Sequence, residues 1–345
     1  MKRMCSCLAL AILALTVSLV GQAPDVNKIV ADTRAALGGE KKLSALKTVT
    51  AAGQSVRVTP DGSSSPVDWE MAFELPDKFI KKDVMAMLGT SAITRTSGFN
   101  GDTAIDVVDQ PPAMPGMIRI VRSSGGDPNA PQTPEQQEQN RKNAVIAAKQ
   151  DFSRILLGFI ASSSAVYPLE FSFGGVAEAP DGKADMIDAK GEGGFAARFF
   201  IDQKTHLPLM LSWMAKEPLV ITRTIGGPGG APPPAGGGNA TFGVAGGKPL
   251  TPEQAAAMKA GGNAKQMTPE EMEKFKAQAA GQAKEAESKL RVVEYRLYYG
   301  DYRDVNGVKV PFRLQRSIDG KPTEEVTLEK VKINSKVDPG TFSGK

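Results

Sequence analysis

The sequence predicts an α+β protein: an open, curved antiparallel sheet of about ten strands with two helices on its concave face. Apolar and polar residues alternate strictly in residues 67–75, 293–299 and 308–314, which is the period of two of a strand with one buried face. Short turn sequences separate the strands, and Asn306-Gly307 supplies the positive-φ residues of a tight hairpin. Only two long apolar stripes have helical spacing, so these helices must cover the sheet.

The first 23 residues read as a secretory signal peptide. Basic residues precede an apolar run at 8–20, which ends in Gly21-Gln22-Ala23 and is too short to span a bilayer as a helix. An uncleaved N-terminal anchor is the alternative. Cys5 and Cys7 precede the apolar run, whereas a lipoprotein cysteine must follow it. The chain is therefore predicted to be exported and not itself a lipoprotein, with no thiol left after cleavage.

The remaining elements follow in order along the chain. Val26, Ile29, Val30 and Leu37 have helical spacing before the C-cap Gly38-Gly39. A second helix opens at Thr133 with Pro at its first position and Gln three residues after the cap, and its later part carries an apolar stripe. Strands are predicted near 47–58, 67–75, 78–85, 91–99, 103–108, 169–176, 184–189, 196–201, 207–214, 219–225, 290–299, 308–315 and 321–333. Val326 and Leu328 are out of register with Val331 and Ile333, so a bulge is expected near 329–330.

Two segments interrupt this pattern. Residues 110–134 are rich in Pro, Gly, Ser and Met and are predicted to form a mobile loop. Residues 226–249 are Gly/Pro/Ala-rich, and two helix starts at Thr251 and Thr268 open polar helices. We therefore predict one domain at 24–345, interrupted by a linker-like insertion at 226–289.

Composition argues against several classes of function. The 42 basic and 38 acidic residues are nearly balanced and scattered, so no nucleic-acid partner is predicted. His206 is the only histidine, which excludes zinc sites built on two or three histidines. No Gly-x-Ser-x-Gly or phosphate-binding glycine motif occurs. We predict no catalytic, cofactor-binding or metal-binding residues.

Carboxylates leave one enzymatic alternative. Asp301 with Asp304, or Asp102 with Asp106 and Asp109, would be the acids of a carboxylate-dependent hydrolase. Both groups are explained more simply as turn and strand-edge residues. His206 is similarly expected to be an exposed turn residue.

The remaining candidate site is apolar. One-sided stripes on several strands, including Leu209, Leu211 and Trp213 on one face, form either a filled core or a cavity. A cavity would suit an acyl chain, because each buried methylene contributes about 0.8 kcal/mol. The candidate ligand-binding residues of this hydrophobic cavity are Trp69, Met71, Phe73, Phe152, Leu156, Leu209, Leu211, Trp213, Tyr295, Leu297 and Phe312.

Four stretches resemble a known superfamily. Residues 37–47, 200–209, 301–312 and 334–342 resemble the outer-membrane lipoprotein-sorting proteins of the LolA/LolB-like superfamily. The resemblance implies an incomplete β-barrel around a helical lid, which holds lipid or lipoprotein acyl chains in the periplasm without enzymatic activity or cofactor. By analogy, residues 110–132 would contact a membrane or an envelope protein.

The expected function is therefore non-enzymatic binding or transfer of a lipid or an acylated lipoprotein in the periplasm, with association at the outer membrane left open. The first alternative is an envelope scaffold with a filled core. The second is the carboxylate-dependent hydrolase.

Overall fold

The computed structural model describes residues 24–58, 66–88, 91–109, 118–122, 133–180, 182–217, 219–224, 242–244 and 290–343. The predicted signal peptide and most of the segments 110–132 and 226–289 lie outside the described residues. No helix in the described ranges is both long and apolar enough to cross a membrane.

The fold consists mainly of strands. The helices and strands are α1 (Val26–Leu37), α2 (Glu40–Ser44), β1 (Thr48–Arg57), β2 (Val67–Glu74), β3 (Lys78–Leu88), β4 (Ser91–Asn100), β5 (Thr103–Asp109), β6 (Ile118–Arg122), α3 (Pro134–Ile160), β7 (Glu170–Ala179), β8 (Gly182–Gly191), β9 (Phe195–Asp202), β10 (Pro208–Lys216), β11 (Leu219–Thr224), β12 (Phe242–Val244), β13 (Val292–Val305), β14 (Val308–Ile318) and β15 (Lys321–Ile333). Two short 3-10 helices lie at Glu192–Gly194 and Pro339–Ser343.

Twelve strands form one antiparallel sheet in the order β5-β4-β3-β2-β1-β15-β14-β13-β10-β9-β8-β7. β1 and β15, the first and last strands along the chain, pair with each other as the fifth and sixth strands of this order. β5 and β7 do not pair with each other, and the sheet stays open. The predicted class, an open antiparallel sheet with helices, is confirmed, with twelve strands rather than about ten in the main sheet.

A second, three-stranded sheet has the order β12-β11-β6. The sequence patterns predicted β11 but neither partner. β6 lies within the segment predicted as a loop, and β12 lies within the segment predicted as a flexible linker. Both partners are short, three and five residues, and such strands leave too little alternation to be recognised among Gly and Pro residues.

The predicted bulge in β15 is confirmed. Ala52 of β1 faces Lys330 and Gly53 faces Leu328, so Glu329 has no partner across the ladder. One extra residue on one strand defines a bulge, and it reverses the face on which the following side chains lie. The bulge lets Val326 and Leu328 be buried while Val331 and Ile333 are partly buried.

Helix α3 begins as its sequence predicts. The Thr133 side chain accepts a hydrogen bond from the Gln136 backbone N–H, the Gln136 side chain accepts one from the Thr133 N–H, and Pro134 occupies the first turn. These contacts satisfy backbone donors that a helix start leaves unpaired. Residues 136–142 are mostly exposed, and burial begins at Val145.

The apolar part of α3 packs on one face of the sheet. The Phe152 ring centre lies 5.3 Å from that of Phe73 on β2, 5.0 Å from Phe79 on β3 and 5.7 Å from Phe99 on β4. All four rings are buried. Such aromatic pairs contribute beyond their buried area, so this cluster fixes α3 against the sheet.

The sheet curls around α3. Lys149 donates to Asp102 in the β4–β5 turn at 3.1 Å, and the next residue, Gln150, donates to the Glu192 and Gly193 carbonyls between β8 and β9 at 3.2 Å. Adjacent helix residues thus contact opposite ends of the strand order. The face that carries α3 is therefore the concave face. Helix α1 packs at the end of α3, where Arg34 donates to the Ile160 carbonyl at 2.7 Å.

The Phe152 cluster predicts a large loss of stability when its ring is removed. Phe152→Ala should lower the free energy of unfolding by about 3–5 kcal/mol, because it leaves a cavity between three strands and α3. Urea unfolding followed by circular dichroism measures the change. Val176→Ala on β7, where Val176 is 43% exposed, is the control and should cost less than about 1 kcal/mol. A loss below about 1.5 kcal/mol for Phe152→Ala would contradict this packing.

Candidate functional site

The structure brings most of the eleven candidate residues together on the concave face. Eight of them are buried in one hydrophobic cluster: Trp69, Met71, Phe73, Phe152, Leu156, Leu211, Leu297 and Phe312. Trp213 and Tyr295 are half-buried at the margin of this cluster. Their rings stack on each other with 5.5 Å between centres and 14° between planes.

Leu209 does not belong to this group. It was expected to share a face with Leu211, but it is 40% exposed. The pairing of β10 with β9 shifts between Pro208 and Met210, so Leu209 lies at an irregularity that turns its side chain outward. The expected shared face is therefore wrong for Leu209, whereas Leu211 and Trp213 do share the concave face.

Side chains fill the part of the concave face that α3 covers. Phe152 and Leu156 are completely buried between α3 and the sheet, and Trp69, Met71 and Phe73 are at most 3% exposed beneath them. In this conformation the apolar surface forms a packed core, and an acyl chain would have to displace α3 to reach it.

Beyond the apolar surface, the same face carries charged side chains. Lys81 and Asp83 continue the alternation that begins at Phe79 on β3, and Arg316 continues the alternation of Phe312 and Leu314 on β14. Arg57 on β1 and Glu324 on β15 face each other across the β1–β15 ladder. All five charged residues lie at the end of the concave face that is opposite the Asn306-Gly307 turn.

These residues form a connected ion network. Arg57 Nε lies 2.9 Å from Glu324 Oε1, and Arg316 Nε lies 3.4 Å from Glu324 Oε2. Lys81 Nζ lies 3.2 Å from Asp83 Oδ2, and Arg57 Nη2 lies 3.6 Å from Asp83 Oδ1. Glu324 is central to the network because it contacts a cation on either side.

Helix α3 adds two charges above the network. Arg154 Nη1 lies 2.9 Å from Asp151 Oδ1. The Arg154 guanidinium also lies 4.6 Å from the ring centre of Trp213 and 5.3 Å from that of Phe195, within the range of cation–π attraction. We refer to Arg57, Lys81, Asp83, Asp151, Arg154, Arg316 and Glu324 as the ionic cluster.

The proximity of these charges shifts the pKa values of several of them. Burial alone would raise the pKa of Glu324, but Arg316, Arg57 and Lys81 lower it to about 2. Half of the Asp151 side chain is exposed, and the neighbouring cations Arg154, Lys81 and Arg316 lower its pKa. Burial lowers the pKa of Arg154, and nearby Arg316 adds to this effect. Glu324 and Asp151 are therefore ionised at neutral pH.

The ionic cluster is not fully satisfied within the described residues. Four cations and three carboxylates leave a surplus of one positive charge. Asp83 Oδ1 and Arg154 Nε are buried without a hydrogen-bond partner in this part of the chain. Buried polar groups nearly always have a hydrogen-bond partner in folded proteins. A polar group of a ligand placed beside these two atoms could therefore form hydrogen bonds with them.

The alternative carboxylates have structural roles. Asp304 accepts a hydrogen bond from the Gly307 N–H in its turn at 2.8 Å, and Asp301 pairs with Arg303 at 2.5 Å. Asp106 pairs with Arg95 at 2.7 Å. Within the described ranges no group of three or more His, Cys, Asp or Glu side chains is arranged to hold a metal.

Sequence reasoning missed the ionic cluster. Its members are far apart in the chain, with 267 positions between Arg57 and Glu324. One local signal was available: charged residues in β3 and β14 occupy positions that the alternation assigns to the buried face. A buried charge requires an opposite charge or a hydrogen-bond partner. The pattern therefore predicts that an ion network exists, but it does not show which residues form it.

Comparisons with known proteins give structural neighbours only. No protein-family model matches the sequence, and no curated protein matches it. A LolA superfamily protein from Nitrosomonas europaea is 7% identical with a TM-score of 0.42, over 93% of this chain and 98% of that one. A domain described as that of an outer membrane lipoprotein-sorting protein, from Vibrio parahaemolyticus, is 6% identical with a TM-score of 0.39, over 92% and 95%.

A DUF1329 family protein from Desulfovibrio piger is 7% identical with a TM-score of 0.35, over 93% of this chain and 98% of that one. The neighbours thus include the superfamily that the sequence motifs resembled. Identities and TM-scores at this level transfer no ligand and no activity to this chain.

The pKa of Glu324 predicts an acid-dependent loss of stability. Glu324→Gln should cost on the order of 3 kcal/mol at pH 7, because the ordinary pKa of 4.5 is lowered to about 2 in the fold. The stabilisation is complete above pH 4.5 and is lost as the pH falls towards 2. The difference between wild type and variant should therefore shrink over that range in urea unfolding.

The control is Glu329→Gln, because Glu329 is exposed and has no ion pair among the described residues. It should leave stability almost unchanged at both pH values. Equal and pH-independent losses in the two variants would contradict the ionic cluster.

Proposed function

We propose that this protein binds an amphiphile without catalysing a reaction. The acyl chain of a lipid or an acylated protein would occupy the concave face beneath α3, and its polar headgroup would contact the ionic cluster. The supporting observation is that one face joins a continuous apolar surface to a partly buried charge network. In that network Asp83 Oδ1 and Arg154 Nε lack a hydrogen-bond partner among the described residues. An amphiphile has the same division into an apolar and a polar part.

The proposed ligand residues are those of the concave face. Met71, Phe73, Leu211, Leu297 and Phe312 would contact the acyl chain once α3 moves. Trp213 and Tyr295, half-buried beside Arg154, would lie where the chain meets its headgroup. Aromatic side chains with one apolar and one polar side suit such a boundary. Leu209 is not part of this proposal.

The conformation described here is then the closed one. Phe152, Leu156 and Phe159 of α3 occupy the surface that the acyl chain would cover. A ligand gains about 0.8 kcal/mol for each buried methylene and must offset the loss of these contacts. Its apparent affinity is therefore reduced by the fraction of molecules in which α3 is displaced.

The proposed setting is the periplasm, with a lipid or an acylated lipoprotein as ligand. Export rests on the segment 1–23, and a peripheral contact with a membrane or an envelope protein rests on residues 110–132. Both are proposals from the sequence.

An envelope scaffold with a filled core is the second candidate. Burial of eight of the eleven candidate residues favours it, because a surface already covered at core density needs no ligand. The two proposals differ in whether α3 leaves the concave face under native conditions.

Gly158 offers a way to separate the two proposals. A Cβ at Gly158 would lie 2.2 Å from a ring carbon of Tyr299, and that ring is buried beneath α3. Gly158→Ala should therefore displace α3 from β13. If amphiphiles bind beneath α3, the variant should bind a fluorescent fatty acid several-fold more tightly, because a larger fraction of molecules is open. Fluorescence titration measures the affinity.

The control is Ala147→Ser, at an exposed position of the same helix, and it should bind the fatty acid as wild type does. Native mass spectrometry of the protein purified from cell envelopes should also detect bound lipid. Absence of fatty-acid binding in both wild type and Gly158→Ala, together with lipid-free protein, would reject the amphiphile proposal and leave the scaffold.

A further inference from the structure

The outer face of the sheet carries a separate pocket of about 400 Å³. It lies across β15, β1, β2, β3 and β4, on the side opposite α3. Strand alternation separates the two sites, because the side chains of Ala51 and Met71 enter the concave core while those of Ala52 and Glu70 face outward. We refer to this site as the outer pocket. It is independent of the proposed amphiphile site.

The floor of the outer pocket consists of small side chains. Thr50 and Ala52 of β1 and Ala72 of β2 line it, and Thr50 faces Ala72 across the β1–β2 ladder. Their short side chains leave a depression between the longer residues on the neighbouring strands. A volume of this size is in the range of small-molecule sites.

The C-terminal segment forms one wall. Phe342 is buried against Ala72, Ile80 and Ile105, and Asn100 Nδ2 donates to its carbonyl at 3.3 Å. This contact places Thr341 at the edge of the outer pocket. The wall is therefore anchored by a buried aromatic residue.

The segment leading to this wall is also anchored. Asn334 Oδ1 accepts from the Lys47 N–H at 2.7 Å, and Asn334 Nδ2 donates to the Ala45 carbonyl at 3.0 Å. Thr48 Oγ1 donates to the Ser335 carbonyl at 2.8 Å. These bonds hold the chain as it leaves β15, so the outer pocket has a defined shape.

Three lysines surround the floor. Lys330 and Lys332 project from β15 on one side, and Lys82 projects from β3 on the other, three strand spacings or about 14 Å away. Glu70 lies between them, facing Ala52 on one side and Lys82 on the other. All four side chains line the outer pocket, which therefore has a surplus of two positive charges.

None of these four side chains has an ion pair or hydrogen bond within the described residues. Other lysines in the same part of the chain do: Lys28 contacts Asp32 at 2.6 Å, Lys78 contacts Glu74 at 2.8 Å and Lys183 contacts Glu178 at 2.6 Å. The three ammonium groups surround one depression without a counter-ion among the described residues, so a bound anion would gain attraction from each of them.

The geometry points to a binding site for a phosphate monoester in the outer pocket. A phosphate monoester carries close to two negative charges at neutral pH, which matches the surplus of the pocket, and lysine ammonium groups bind phosphate as point charges. Thr50, Thr96 and Thr341 supply hydroxyl donors at the same site. Glu70 accepts a hydrogen bond from a hydroxyl group on the organic part of the ligand.

The test uses the mature protein and two sources of the same chemistry. Glycerol phosphate, titrated by calorimetry, represents a soluble ligand. Flotation with phosphatidic acid vesicles, against phosphatidylcholine vesicles, represents a lipid headgroup. The pocket variant combines Lys82→Gln, Lys330→Gln and Lys332→Gln. The control combines Lys190→Gln, Lys204→Gln and Lys309→Gln, which are exposed lysines outside the pocket, so both variants lose three positive charges.

Wild type and the control variant should bind glycerol phosphate, phosphatidic acid vesicles or both. In each assay where they bind, the pocket variant should bind at least tenfold more weakly. The arm that shows binding identifies the source of the phosphate. A charge-neutral variant, Ala52→Leu, fills the floor and should weaken binding similarly. Absence of binding in both arms, equal loss in the two lysine variants, or unchanged binding by Ala52→Leu would each overturn the outer-pocket site.

Discussion

The packing of Phe152 against Phe73, Phe79 and Phe99 is the contact on which the rest of the molecule depends. A sheet of twelve strands with one apolar face cannot remain exposed to water. Helix α3 covers that face and, through Lys149 and Gln150, contacts both sides of the strand order. The packing of α3 therefore accounts for both the curvature of the sheet and the burial of its core.

The two faces of the sheet carry their charged side chains in different environments. The concave face buries charges, and burial of ions costs free energy that their mutual attraction often fails to recover. Glu324 is stabilised by cations on both sides, yet Asp83 Oδ1 and Arg154 Nε lack a hydrogen-bond partner among the described residues. Under the proposed function, this cost is explained by recognition of a polar headgroup. The outer face keeps its lysines unpaired at the surface, where the cost is small.

The concave face also explains how a filled core and a binding site can coexist. Under the proposed function, the residues that α3 covers are the same residues that an acyl chain contacts, so helix and ligand compete for one surface. Gly158 shows how closely the two surfaces meet, because no side chain fits between α3 and Tyr299. In that proposal, the free energies of the α3-covered and ligand-bound states differ only by similar apolar contacts. A small change at the contact between Gly158 and Tyr299 would therefore change which state is favoured.

Local patterns in the sequence determined most of the elements: the alternating strands, the Thr133 capping box, the Asn306-Gly307 hairpin and the bulge at Glu329. These depend on neighbouring residues, which the sequence shows directly. Ten of the eleven candidate residues lie on or beside the concave face, as the alternation predicts, and their binding of a ligand stays a prediction. Leu209 was not, because its orientation depends on pairing with β9. The ionic cluster, the outer pocket and the filling of the concave face by α3 were decided by tertiary structure alone. Each depends on contacts between residues far apart in the chain, such as Arg57 with Glu324 or Ala72 with Phe342, and no local period encodes such contacts.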